Sequence, residues 1–220
     1  MSQPRPVSDF LEEMCARLSA MMRSDDGQEP APPQEAVREE PRKPAVKPFN
    51  LQGVHPSVAE AYNALKSWLT AINHGCIPPF SLTLCGRSGC GKTHLLQNAV
   101  AYLNARAFTC ASYSWPSLLQ KIKDDEPRAL ASLRSFKALA VDNIGAENTS
   151  GKYIRGTSSE LLDRLVELRL GKWTLYATNC NMKGIENIYT PRIASRLIRN
   201  GGRVVDMSAA QDYSLINPKS

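Results

Sequence analysis

Eight consecutive residues, Gly86-Arg87-Ser88-Gly89-Cys90-Gly91-Lys92-Thr93, set glycines, a lysine and a hydroxyl in the spacing GxxxxGK[ST]. Glycine backbones reach conformations that aim successive N–H groups at phosphate oxygens, and a helix beginning at the loop's end adds its positive pole. Lys92 brings a full charge to the β- and γ-phosphates, and the Thr93 hydroxyl is a hard oxygen ligand for Mg²⁺. The chemistry is the binding of a nucleoside triphosphate, expected to be ATP with Mg²⁺. Candidate contacts are Gly86, Arg87, Ser88, Gly89, Cys90, Gly91, Lys92, Thr93 and the following His94.

Such a loop works only between a strand and a helix. Ser81 to Cys85 (SLTLC) supplies an apolar strand before it, and His94 to Val100 (HLLQNAV) a helix after it. A second element must complete the metal site. Ala138-Leu139-Ala140-Val141-Asp142 is an apolar run ending in a carboxylate, so Asp142 is the expected acidic partner of Mg²⁺. Trp173-Thr174-Leu175-Tyr176-Ala177-Thr178-Asn179 is another strand with a polar end, and it offers Asn179 as a reader of the γ-phosphate.

These residues need a scaffold. Strands are expected near 81–85, 108–113, 138–142, 173–178 and 203–207, and helices near 91–104, 116–124, 158–170 and 191–199. Thr157 with Glu160 reads as a capping box before the third of these helices. Ahead of the first strand, Val58, Ala61, Tyr62, Leu65, Trp68, Leu69 and Ile72 mark one helix face, with Pro56 at its start and Gly75 just past its end. Alternation of strands and helices predicts an α/β domain whose parallel sheet lies between helical layers.

The first 48 residues read differently. Residues 1–23 hold an amphipathic helix with Phe10, Leu11, Met14 and Leu18 on its stripe, Ser8 as cap and acidic residues in its first turn. Residues 24–48 carry six prolines among charges, the composition of a tether. A short apolar stripe on a tether is expected to dock on another protein. The ATPase domain is then 49–220.

Taken together, GRSGCGKTHLL, ALAVDNIG, LYATN and PRIASRL, in this order, resemble the AAA+ ATPases of the DnaC/DnaI/IstB helicase-loader group over roughly residues 50–210. The resemblance implies a P-loop AAA+ core with a five-stranded parallel sheet. It implies a sensor role for Asn179 and an arginine finger at Arg196, with Arg192 one turn earlier as the alternative. Such a finger makes the complete ATP site a property of the self-associated protein. Too few residues follow Arg196 to form the helical lid that many AAA+ proteins carry, and no C-terminal helix-turn-helix is expected.

At the position after Asp142, hydrolysing relatives commonly place a glutamate, whereas this chain has Asn143. An amide orients water but cannot take its proton, so hydrolysis is expected to be slow or stimulated by a partner, with Glu147 as a substitute base. Loaders of this group grip a hexameric replicative helicase through the N-terminal region and contact single-stranded DNA. Lys152, Tyr153 and Arg155 pair charge with an aromatic platform and are the expected DNA contacts, ahead of Lys121 and Lys123. A transposition helper like IstB, or an adaptor that inhibits a helicase or its loader, shares the same nucleotide motifs.

Composition limits the alternatives. Residues 1–48 hold seven Lys/Arg and nine Asp/Glu, so the net +6 of the chain rests on a folded part of +8 that suits a polyanion partner. Six cysteines at 15, 76, 85, 90, 110 and 180 show no CxxC spacing, which disfavours zinc and disulfides. No run approaches the roughly 20 apolar residues of a membrane span, and the first residues lack the pattern of a secretory leader. A cytoplasmic location is expected. A small-molecule kinase would need a lid and an acceptor pocket, and the sequence suggests neither.

Overall fold

A computed structural model of the chain describes residues 49–75, 81–146, 155–198 and 202–213. The chain divides into two units at Pro41/Arg42, and all of these residues belong to the second. The elements are α1 (Pro56–Asn73), β1 (Ser81–Cys85), α2 (Lys92–Asn104), β2 (Cys110–Ser114), α3 (Trp115–Asp124), α4 (Glu126–Ser135), β3 (Ala138–Ile144), α5 (Arg155–Leu168), β4 (Trp173–Thr178), α6 (Met182–Ile188), α7 (Pro191–Ile198) and β5 (Arg203–Asp206). Among these residues no helix is long and apolar enough to cross a membrane.

The five strands form one parallel sheet in the order β2-β3-β4-β1-β5. Strand alternation divides the core between the two faces. Ala138, Ala140, Leu175 and Ala177 join Leu82, Leu84 and the buried stripes of α1 and α2 on one side. Leu139, Val141 and Tyr176 join α3 to α7 on the other. Both faces are covered, so the central strands are buried along nearly their whole length and most of their residues are apolar, as a parallel sheet requires. Thr83, inside β1, is an exception. Its Oγ1 is the buried side-chain polar atom left without a hydrogen-bond partner among the described residues.

Local chemistry explains the helix limits. At α1 the His55 ring accepts from the Ser57 N–H at 3.2 Å, Pro56 occupies the first turn, and Gly75 takes φ +64° beyond the end. Two helices escape the sequence reading. In α4, Pro127 sits in the first turn, where its missing N–H costs nothing, and the Asp125 carboxylate accepts from the Arg128 N–H at 3.2 Å. In α6, only seven residues long, Asn181 Oδ1 accepts from the Gly184 N–H at 2.8 Å. One expected cap is corrected: α5 begins at Arg155, so Thr157 lies inside its first turn instead of capping it. β2 runs from 110 to 114, with Phe108 and Thr109 in the connection between the turn after α2 and the strand.

Arg169, just past α5, holds the start of the sheet together. Its guanidinium donates to the carbonyls of Leu133, Phe136 and Trp173 and to Thr174 Oγ1 at 2.8–3.1 Å, tying the end of α4 to β4. Burial pulls its pKa down to about 10, which still leaves it charged at neutral pH.

Candidate nucleotide site

The site forms where β1, β4 and β3 end side by side. Pairing sets Cys85 opposite Thr178, and Thr178 opposite Ile144, so three loops leave the sheet at one level. The Gly86 N–H donates to the Thr178 carbonyl at 3.2 Å, and Thr178 Oγ1 donates to the Ile144 carbonyl at 2.8 Å. Since β4 lies between β1 and β3, Asn179 leaves the sheet between the glycine loop and Asp142.

The glycine loop has the backbone its sequence demands. Gly89 and Gly91 take φ +85° and +97°, a region closed to most side chains. Gly91 directly precedes α2, whose first turn begins at Lys92. Lys92 is 5% exposed, and its ammonium donates to the carbonyls of Gly86 and Arg87 at 2.8 Å each, with Cys90 Sγ at 3.6 Å. The charge is thus stored against loop carbonyls that a phosphate would replace. Arg87 is exposed and contributes only its carbonyl.

Thr93 Oγ1 donates to Asp142 Oδ2 at 2.6 Å. A hydroxyl and a carboxylate are the oxygen donors Mg²⁺ accepts, and that ion takes one or two protein ligands and completes its shell with water and phosphate. The described residues contain no group of three or more His, Cys, Asp or Glu that could hold a metal by themselves. The donor set fits Mg²⁺ held jointly with a nucleotide by Thr93 and Asp142.

Asn143 takes φ +59°, and its N–H donates to Asp142 Oδ1 at 2.7 Å. The β3–β4 register shifts between Val141 and Ile144, and this irregularity turns Asn143 toward the cavity. That cavity, of about 280 Å³, is lined by Ser88, Gly89, Gly91, Lys92, Thr93 and His94 from the loop and α2, by Asn143 and Asn179 from the strand ends, and by Asp212 and Tyr213. Under the loop, burial pushes the Cys85 thiol up to about 12, with Asp206 adding to the effect.

Three solved structures share this arrangement of elements. A DNA replication initiation factor matches at 18% identity over 74% of this chain and 49% of its own, with a TM-score of 0.58. AMPPCP-bound DnaA from Aquifex aeolicus matches at 20% identity over 70% of this chain and 47% of its own, with a TM-score of 0.56. The DnaC helicase loader matches at 17% identity over 72% of this chain and 92% of its own, with a TM-score of 0.57. The chain shares the fold of these replication proteins. It spans about half the length of the initiation factor and of DnaA. No protein-family model and no curated protein matches its sequence.

Within this fold the two arginines of α7 sit differently. Arg196 donates to Asp163 Oδ1 at 2.8 Å and lies 3.3 Å from Glu167 Oε1, with 12% of its side chain exposed. Arg192 reaches Asp163 only at 3.3 Å through Nε and is 62% exposed. Arg196 is therefore held by its own chain, and Arg192 presents its guanidinium outward.

Several expected residues stand elsewhere. Phe10, Leu11, Met14, Leu18, Glu147, Lys152 and Tyr153 lie outside the described residues, and of Arg155 only the backbone, as the first residue of α5, is described. Lys121 and Lys123 are exposed in the last turn of α3, with Lys121 over the Tyr113 ring at 5.1 Å. Conversely, Phe49, Asp212 and Tyr213 pack against the site and carry no motif that would announce them. The Phe49 ring stacks on Tyr213 at 4.5 Å and meets His94 at 5.2 Å. An aromatic at the first described residue and another past the last strand were the sole sequence signals.

Proposed function

We propose that this protein is an ATP-dependent helicase loader, a nucleotide-switched assembly factor. Gly86 to Thr93 take the phosphates of ATP, Thr93 and Asp142 hold Mg²⁺, and Asn179 senses the γ-phosphate between them. The observation that carries the reading is the Thr93–Asp142 hydrogen bond beneath a glycine loop with left-handed Gly89 and Gly91. An AAA+ fold matching nearly the whole length of the DnaC helicase loader supports its direction. AMPPCP is bound in one structure of similar fold, which supports an adenine nucleotide as the ligand.

In this reading the helix of residues 1–23, through Phe10, Leu11, Met14 and Leu18, grips a hexameric replicative helicase. Lys152, Tyr153 and Arg155 contact single-stranded DNA, and ATP favours self-association. An arginine of α7 then completes the site of the adjacent subunit, and the exposure of Arg192 supports it over Arg196 for that role. Asn143 positions water without accepting its proton, so turnover is slow until helicase and DNA are engaged.

ATP hydrolysis measured with a hexameric helicase and single-stranded DNA tests this reading against a Lys92→Ala control. Turnover stimulated by both partners and abolished by the substitution supports it. Binding of nucleotide without turnover under any partner favours instead the adaptor that occupies a helicase or loader surface, a reading that Asn143 also supports. Capture of a transposase in preference to a helicase would point to an IstB-like helper.

A further inference from the structure

The last described residues cross the phosphate loop. The Tyr213 N–H donates to the Gly89 carbonyl at 2.8 Å. The Asp212 carboxylate rests so closely on Gly89 that a Cβ built there would lie 2.5 Å from it. Beside it the Tyr213 ring stacks on Phe49 and stands edge-on to His94 at 5.6 Å. The Tyr213 hydroxyl accepts from the Asn50 N–H at 2.9 Å and donates to the Asn50 carbonyl at 3.1 Å. A carboxylate and a flat ring thus sit at the loop, tied on one side to Gly89 and on the other to the first residues of the domain.

Anion and ring are also what a nucleotide brings. Asp212 and Tyr213 share the cavity lining with Lys92 and Thr93, and the remaining volume of about 280 Å³ falls just short of the roughly 300–1,000 Å³ typical of ligand pockets. A carboxylate this close to Gly89 and the phosphates of a nucleotide on the same loop repel at distances well inside the ~8 Å screening length of physiological salt. Lys92 is turned to the loop carbonyls while the carboxylate is in place.

We propose that Asp212 and Tyr213 form an autoinhibitory strap that competes with nucleotide phosphates for the Gly89 side of the loop. Nucleotide displaces the strap, and with it the bonds that fasten Asn50 and Phe49, which follow the proline-rich stretch directly in sequence. The inference rests on the P-loop reading above and adds a route from nucleotide occupancy to the segment proposed to hold the partner. It also makes affinity in the resting protein lower than the loop alone would give.

The test uses the full chain. Asp212→Asn keeps the side chain's shape and removes its charge, and a titration with a fluorescent ATP analogue in Mg²⁺ should show binding at least tenfold tighter than wild type. In a separate Tyr213→Trp variant, saturating AMPPCP should change tryptophan emission, because the ring leaves Phe49 and His94. Affinity for Asp212→Asn equal to or weaker than wild type overturns the strap, as does unchanged Tyr213→Trp emission at saturation. When wild type binds and Lys92→Ala does not, either of those results fells the strap alone. Absence of binding by wild type and Asp212→Asn alike overturns the P-loop reading together with it.

Discussion

Thr93 Oγ1 and Asp142 Oδ2 lie 2.6 Å apart although 49 residues separate them in the chain. One sits in the first turn of α2 and the other near the end of β3, two strands away from β1 in the sheet. The bond joins the glycine loop and the helix after it to the strand that holds the acidic group. It also keeps both oxygens where a Mg²⁺ ion would take them.

Thr93→Val and Asp142→Asn should each weaken ATP binding in Mg²⁺ at least tenfold, about 1.4 kcal/mol, while leaving binding in EDTA close to wild type. Calorimetric titration in the two buffers measures the difference. Equal losses with and without Mg²⁺ would mean that neither oxygen serves the metal.

The two arginines of α7 should separate in their effects. Arg196→Ala leaves Asp163 and Glu167 without their main cation in a partly buried setting, and should lower stability by about 1–3 kcal/mol in urea unfolding. Arg192→Ala should change stability by less than about 0.5 kcal/mol and remove hydrolysis that depends on protein concentration. A concentration-dependent rate that survives Arg192→Ala and disappears at unchanged stability in Arg196→Ala would reverse the assignment.

Arg169→Met should cost about 3–5 kcal/mol, because buried carbonyls of Leu133, Phe136 and Trp173 lose their donor together. The measurement is the urea midpoint at constant m-value. A loss below 1 kcal/mol would show that water takes over those carbonyls.

Thr83→Val replaces an unpartnered buried hydroxyl with a methyl of similar size, and should raise stability by about 1 kcal/mol. A decrease in melting temperature would reveal a hydrogen bond to Thr83 that the structure does not contain.

Alkaline pH should weaken the fold through its thiols. Burial raises Cys85 from 9.0 to about 12 and Cys110 to about 11, so the folded state keeps protons that the unfolded chain gives up. Their contribution is fully present below pH 9 and is lost as pH rises toward 11 to 12. Urea unfolding of Cys85→Ala and Cys110→Ala across pH 8 to 11 checks this. A slope between pH 9 and 11 as steep in the double variant as in wild type would assign the effect to other groups.

Much of the site could be read from local signals. GxxxxGK[ST] needs only neighbouring residues to declare itself, and the apolar runs ending in Asp142 and Asn179 announce strands with polar ends. The alternating pattern foretold five parallel strands for the same reason: a strand covered on both faces must be apolar along its length. Where local signals conflict, the reading failed. The expected helices omit residues 126–135, where Pro127 is tolerated in a first turn and disfavoured in later ones, and sequence does not say which turn it occupies.

Sequence by itself determined the glycine loop, the strand-end carboxylate that faces it and the fold class, because each is written in residues close together along the chain. Only the tertiary structure decided that β4 separates β1 from β3 and so sets Asn179 between loop and carboxylate. It alone bound Arg196 into a network with Asp163 and Glu167 while leaving Arg192 outward. It alone brought Asp212 and Tyr213 across Gly89, some 120 residues back along the chain. The physical reason is common to all three: strand order and the path of a terminal segment follow from which apolar faces pack together, and that competition among distant residues leaves no local pattern to read.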